Sequence, residues 1–69
     1  MKAWTGTDLV RHLVSLGCRK VRQKGSHLRV ACGPCVTTVA VHAGETLPPG
    51  TLRQIVRDLA PCLGKDWLP

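Results

Sequence analysis

The sequence predicts an α+β fold in which a helix, three antiparallel strands and a second helix follow in order, with both helices on one face of the sheet. Three observations predict it. Apolar residues recur at helical spacing in TGTDLVRHLVSLG and again in TLRQIVRDL, near the two ends of the chain. Between them, CRKVRQKGSHLRVACGPCVTTVAVH is rich in valine and alternates between polar and apolar residues. Glycine punctuates that stretch at Lys24-Gly25 and Gly33-Pro34, cutting it into three short runs. At 69 residues the chain makes one domain, residues 1–69.

The first helix opens on Thr5 and Asp8, which fit a capping box. Leu9, Val10, Leu13 and Leu16 form its apolar stripe, and Gly17 suits the position just past its end. CRKVRQ is the first strand, SHLRVA the second and CVTTVAVH the third. AGETLPPG is the loop that follows. In the second helix Leu52, Ile55, Val56 and Leu59 make an i, i+3, i+4, i+7 stripe. Pro61 should end that helix, because proline has no N–H to donate and its ring crowds the preceding turn. Leu63, Trp67 and Leu68 are placed to cap the core.

Size and charge limit the functions open to such a chain. A domain this small buries only about 60% of the surface its unfolded chain exposes, so any site is a surface feature on one face. Ten Lys and Arg against four Asp and Glu give a formal charge of +6. That imbalance attracts polyanions, nucleic acid first among them. No apolar run approaches the roughly 20 residues of a membrane helix, and the N-terminus lacks a signal-peptide block. The expected location is the cytoplasm, where the four cysteines would be free thiols or metal ligands. Two tryptophans, with no Phe or Tyr, argue against a single-strand binder built on stacked aromatics.

Strand parity sorts the side chains. Side chains alternate between the two faces of a sheet. Leu28, Val30, Val39 and Val41 should face the helices, so His27, Arg29, Thr38, Ala40 and His42 should face outward. With Val21 inward, Lys20 and Arg22 join them. A two-residue Gly33-Pro34 turn sets Cys32 opposite Cys35 and His27 opposite Ala40, with His42 a diagonal neighbour of His27. A type II′ turn suits it, with glycine first and a second φ that proline adopts. Lys20, Arg22, Lys24, His27, Arg29 and His42 then share one open, basic face.

That face suits a phosphodiester. Imidazole changes charge between pH 5 and 8, so His27 can give or take a proton. RNA cleavage needs a base for the 2′-hydroxyl and an acid for the leaving 5′-oxygen, and cations to stabilise the phosphorane. Lys24 and Arg29 are placed for the last task, and His42 is a candidate second proton-transfer group. His12, between the stripe positions of the first helix, reads as a surface residue. Cys32-Gly33-Pro34-Cys35 matches a thioredoxin-type motif, but lies between strands rather than at a helix N-terminus, where the dipole would activate its thiol. With Cys18, Cys62 and a histidine it could ligate zinc, though at no usual spacing. The favoured reading is a hairpin turn that forms a local disulfide in air. Arg53, Gln54 and Arg57, on the polar side of the second helix, could contact a partner.

VRQKGSHLRV, followed by TVAVHAGETLPPGTLRQIVRDL, resembles the HicA toxin family. The likeness runs from about Thr7 to Leu59. It rests on the set GSH, V-x-V-H and PGTLR-x-I at these separations. The resemblance implies an α-β-β-β-α fold like that of double-stranded-RNA-binding domains. It also implies a bacterial or archaeal toxin that cleaves mRNA and is neutralised by a HicB antitoxin covering its active site. The family's catalytic histidine falls on His27, with Gly25 and Ser26 matching beside it. There are departures. Cys18 stands where an aromatic is usual, Arg29 and Val30 where a histidine and an aromatic are common, and Ala40 in a usual proline position. CGPC replaces the usual hairpin.

The expectation is therefore an endoribonuclease, a toxin with His27 as its single general acid or base and with His42 and Lys24 as candidates to assist. Lys20, Arg22, Lys24, Ser26 and Arg29 would hold RNA. No metal and no nucleotide or other cofactor is expected. The partners are mRNA and a HicB-like antitoxin. The alternatives are a non-catalytic RNA-binding module and a zinc or thiol-redox protein centred on Cys32 and Cys35.

Overall fold

The computed structural model describes residues 3–68. It places helix α1 at Gly6–Ser15, strands β1 at Arg19–Lys24, β2 at His27–Cys32 and β3 at Cys35–Ala40, and helix α2 at Pro49–Leu63. The sheet is antiparallel with order β1-β2-β3. Leu28, Val30 and Val39, all of one strand parity, share a buried cluster with Leu9 and Leu13 of α1 and Leu52, Ile55 and Leu59 of α2. Both helices therefore cover the same face, and the other face of the sheet is left uncovered. The element order and architecture are those the sequence predicts. No helix among the described residues is long and apolar enough to cross a membrane.

Local chemistry sets the ends of α1. The Thr5 hydroxyl accepts a hydrogen bond from the Asp8 amide at 3.1 Å, satisfying one of the helix's orphan donors. At the other end the Cys18 amide donates to the Leu13 carbonyl and the Gly17 amide to that of Val14, each at 3.0 Å. This is a Schellman closure, with Gly17 at φ 93°. Leu9, Val10 and Leu13 are buried as expected, but Leu16 has turned outward as the C-cap and is 44% exposed.

Gly6 has a different task. A Cβ built there would overlap the Ala40 carbonyl oxygen at the end of β3. Hydrogen alone lets the first turn of α1 lie against the strand end that faces His27. Gly6→Ala should therefore destabilise the fold by about 2 kcal/mol, the scale of an overpacked core. The urea midpoint should fall at unchanged slope; an unchanged midpoint would show that the backbone is free to move aside.

The two hairpin turns are Gly25-Ser26 and Gly33-Pro34. Each has glycine first, at φ 60°, and a second residue with negative φ, the φ pattern of type II′ turns. The first turn thus lies one residue later than Lys24-Gly25, and β2 begins at His27 rather than Ser26. The β2–β3 register is as expected, with Cys32 opposite Cys35 and His27 opposite Ala40.

Strand β1 departs from simple alternation. A bulge between Lys20 and Arg22 leaves Val21 as the extra residue, and Val21 is 54% exposed rather than inward. Lys20 pairs with buried Val30, so it points to the helix side. There it lines a groove of about 380 Å³ with Val10, Arg11 and Val14 of α1. Lys20 is thus corrected from the open face, and Arg22 remains on it, opposite Arg29.

Three further expectations are corrected. Helix α2 runs through Pro61 to Leu63, with the Gly64 amide bonding to Ala60. So close to the end, proline deletes one bond without stopping the turn. His12 is not a surface residue. It is half-buried between the rings of Trp4 and Trp67, at centroid distances of 5.4 and 6.3 Å. Finally, the cysteines are neither free nor joined across the hairpin. Cys18 pairs with Cys32 and Cys35 with Cys62. Cys32 and Cys35 both point to the helix side, and each meets the end of a different helix: Cys18 just past α1, Cys62 in the last turn of α2.

Candidate active site

The register lays out the uncovered face in rows. In a paired ladder, opposite residues point the same way. The first row is Lys24 on β1, His27 on β2 and Ala40 on β3. The second is Arg22, Arg29 and Thr38. Along a strand the rows are about 7 Å apart, twice the rise per residue. His27 therefore stands on the central strand, with an ammonium on one side and only a methyl group on the other. A guanidinium pair lies in the next row. His27, Lys24, Arg22 and Arg29 are all exposed.

None of the strand residues on this face is acidic. The four acidic residues are Asp8 on α1, Glu45 in the loop before α2, Asp58 on α2 and Asp66 in the tail. Asp8 lies 3.6 Å from Arg11 in an exposed pair. Asp58 accepts from Thr37 at 3.1 Å and from Gln54 at 2.9 Å on the helix side. Among the described residues no ion pair ties a carboxylate to the cations beside His27, and these cations sum to a positive field where a phosphate backbone would lie.

The chain beyond β3 continues toward the site. The Val41 amide donates to the Ser26 carbonyl at 2.7 Å, extending the ladder by one bond past Ala40. His42 follows, and its Nε2 lies 3.2 Å from the Ser26 hydroxyl. Ser26 directly precedes His27. The second imidazole is therefore anchored to the turn that presents the first. Either partner can donate in this pair, depending on the tautomer. Strand parity predicts that His42 is near His27; the serine that links them is legible only once the turn is placed at Gly25-Ser26.

The predicted site residues thus divide. His27, Lys24, Arg22 and Arg29 share the uncovered face, and Ser26 and His42 meet at its edge. Lys20 lies across the sheet. Among the described residues, no three His, Cys, Asp or Glu side chains are grouped to hold a metal ion. The four cysteines weighed as zinc ligands or as a redox pair are taken up in the two disulfides.

A model of the family described as HicA toxin of bacterial toxin-antitoxin matches residues 6–60. The match spans α1, the whole sheet and most of α2. Neither a curated protein nor a solved structure matches the chain.

Proposed function

The chain belongs to the HicA family of toxins from toxin–antitoxin systems, and from that membership we propose that it is a metal-independent endoribonuclease acting on mRNA. One observation carries the reading: an exposed histidine among the cations of an uncovered sheet face, with a second histidine anchored beside it. The substrate's phosphates lie along Arg22, Arg29 and Lys24. One imidazole takes the proton of the 2′-hydroxyl as its oxygen attacks phosphorus. The other gives a proton to the 5′-oxygen as the P–O5′ bond breaks. His27 fills one of these roles and His42 the other. Ser26 holds His42 in place, and when His42 donates Nε2–H to it, the Ser26 hydroxyl proton is left for a phosphate oxygen. Cationic neighbours stabilise the charge that develops at phosphorus.

The partner on this reading is a HicB-like antitoxin that covers the basic face. An acidic partner surface complements a chain of charge +6.

The test is incubation of the purified chain with mRNA in EDTA and in magnesium. Cleavage in both is expected. RNA that is bound but left intact in both would make the chain a non-catalytic binding module. Binding itself should weaken with salt. Each phosphate contact on a single strand contributes about 0.7 to the slope of log K against log salt. Arg29→Gln should therefore flatten the slope by about that amount, and Lys20→Gln, on the helix side, should leave it unchanged. Equal slopes for wild type and Arg29→Gln would remove Arg29 from the interface.

A further inference from the structure

We propose that the Cys32-Gly33-Pro34-Cys35 hairpin is a thiol–disulfide exchange site. Through it a single two-electron reduction by a small thiol opens both disulfides that tie the helices to the sheet. The inference is independent of the RNA chemistry, because the cysteines lie at the opposite end of β2 from His27.

Cys32 and Cys35 are directly opposite across a two-residue turn and point to the same side. Opposite residues in an antiparallel pair have Cα atoms about 4.5 or 5.5 Å apart, and both spacings are within the range a disulfide spans, about 4.4–6.8 Å. Each sulfur is instead bonded outward, Cys32 to Cys18 and Cys35 to Cys62. The four residues therefore hold two bonds, with a third pairing available between the inner two. A groove of about 340 Å³ opens onto three of them, Cys18, Cys32 and Cys62, beside Gly33, Pro34 and Pro61. Exposure sets the order of attack: Cys18 and Cys32 are buried, whereas Cys35 and Cys62 are half-buried.

A thiolate of the reductant attacks Cys62 Sγ, forming a mixed disulfide and releasing the Cys35 thiolate. Cys35 then attacks Cys32 Sγ across the turn. The Cys32–Cys35 bond forms, the Cys18–Cys32 bond breaks, and Cys18 leaves as a thiolate that takes a proton. A second reductant thiol clears Cys62 as a free thiol and departs as the oxidised dimer. Two thiols have lost two electrons, and the protein has gained them. The second step is intramolecular, between neighbouring strands, and so runs at high effective concentration. Its product holds neither helix end to the hairpin.

Treatment of the oxidised chain with glutathione at limiting dose, followed by iodoacetamide, trypsin and mass spectrometry, tests this. Cys32 and Cys35 share one tryptic peptide, while Cys18 and Cys62 fall on two others. The two-electron-reduced protein should carry alkylated Cys18 and Cys62, with an internal Cys32–Cys35 bond. In Cys35→Ser the relay is cut, and Cys18–Cys32 should open at least about tenfold more slowly than in wild type, given the lost proximity. A two-electron-reduced wild type that keeps Cys18–Cys32, with Cys35 and Cys62 both alkylated, would overturn the proposal, as would equal opening rates in the two proteins. If Cys35→Ser does not fold, the wild-type map decides alone.

Discussion

Replacing the cysteines in pairs should cost about 3 kcal/mol for Cys18→Ser with Cys32→Ser, and slightly more for Cys35→Ser with Cys62→Ser. The bridges span 14 and 27 residues of sequence. By the loop-closure argument the longer one restricts the unfolded chain more. The effect is large for this fold because the core is small. Among the described residues the largest fully buried side chains are only Leu, Ile and Val: Leu9, Leu13, Ile55, Leu59, Val30 and Val39. At roughly 0.05–0.15 kcal/mol per residue, a chain of this size has a total stability comparable to the two bridges together. Each double variant should melt more than about 10 °C below wild type, and the quadruple variant should be largely unfolded at 37 °C. Melting curves followed by circular dichroism check this. Equal midpoints would mean that helix packing alone holds the hairpin end of the sheet.

His27→Ala should lower RNA cleavage by about 10²–10⁴-fold, the range typical of losing a general acid or base. RNA affinity should hardly change, because the phosphate contacts belong to Arg22, Arg29 and Lys24. His27 is exposed and on the uncovered side of the sheet, so the fold should not change either. His42→Ala should also slow cleavage. Two imidazoles working in opposite protonation states give a rate that rises and then falls with pH. Each single variant should lose one limb of that profile. Ser26→Ala should act more weakly, by loosening His42, and Ser26→Thr should restore much of the loss by replacing the hydroxyl. Retention of both limbs in His42→Ala would leave His27 to act with some other group.

The parts of this site that were legible in sequence are those that follow from parity and turn chemistry. Gly33-Pro34 admits few hairpins, and once it is a two-residue turn the pairing of His27 with Ala40 follows by counting back along the strands. Leu28 and Val30 fix which way His27 faces. The Lys20 prediction failed because a bulge at Val21 inserts one residue, and no local pattern in RKVRQK announces it. Parity inverts on the far side of a bulge, which is why Arg22 and Lys24 kept their predicted face and Lys20 did not. The disulfides were hidden for another reason. Four cysteines allow three pairings, and the choice depends on where two helix ends come down over the sheet. Spacing along the chain suggests the local bond across CGPC, whereas the packing of α1 and α2 brings a different partner to each sulfur. The burial of His12 is hidden from sequence for a similar reason: its neighbours Trp4 and Trp67 come from distant ends of the chain.

The resemblance and the geometry support the site in different ways. GSH and V-x-V-H are separated in sequence, and the family match covers both. The fold joins them through the Val41–Ser26 backbone bond and the Ser26–His42 side-chain pair. Ala40, in a usual proline position of the family, keeps the space beside His27 open on the β3 side.

The most direct measurement is the rate of RNA cleavage by wild type and His27→Ala, prepared in parallel, in EDTA, at RNA concentrations giving equal occupancy. Cutting by the wild type and a loss of at least about a hundredfold in the variant, with unchanged affinity, is the predicted result. Equal rates in the two proteins, or intact RNA with both, would contradict a histidine-centred ribonuclease on this face.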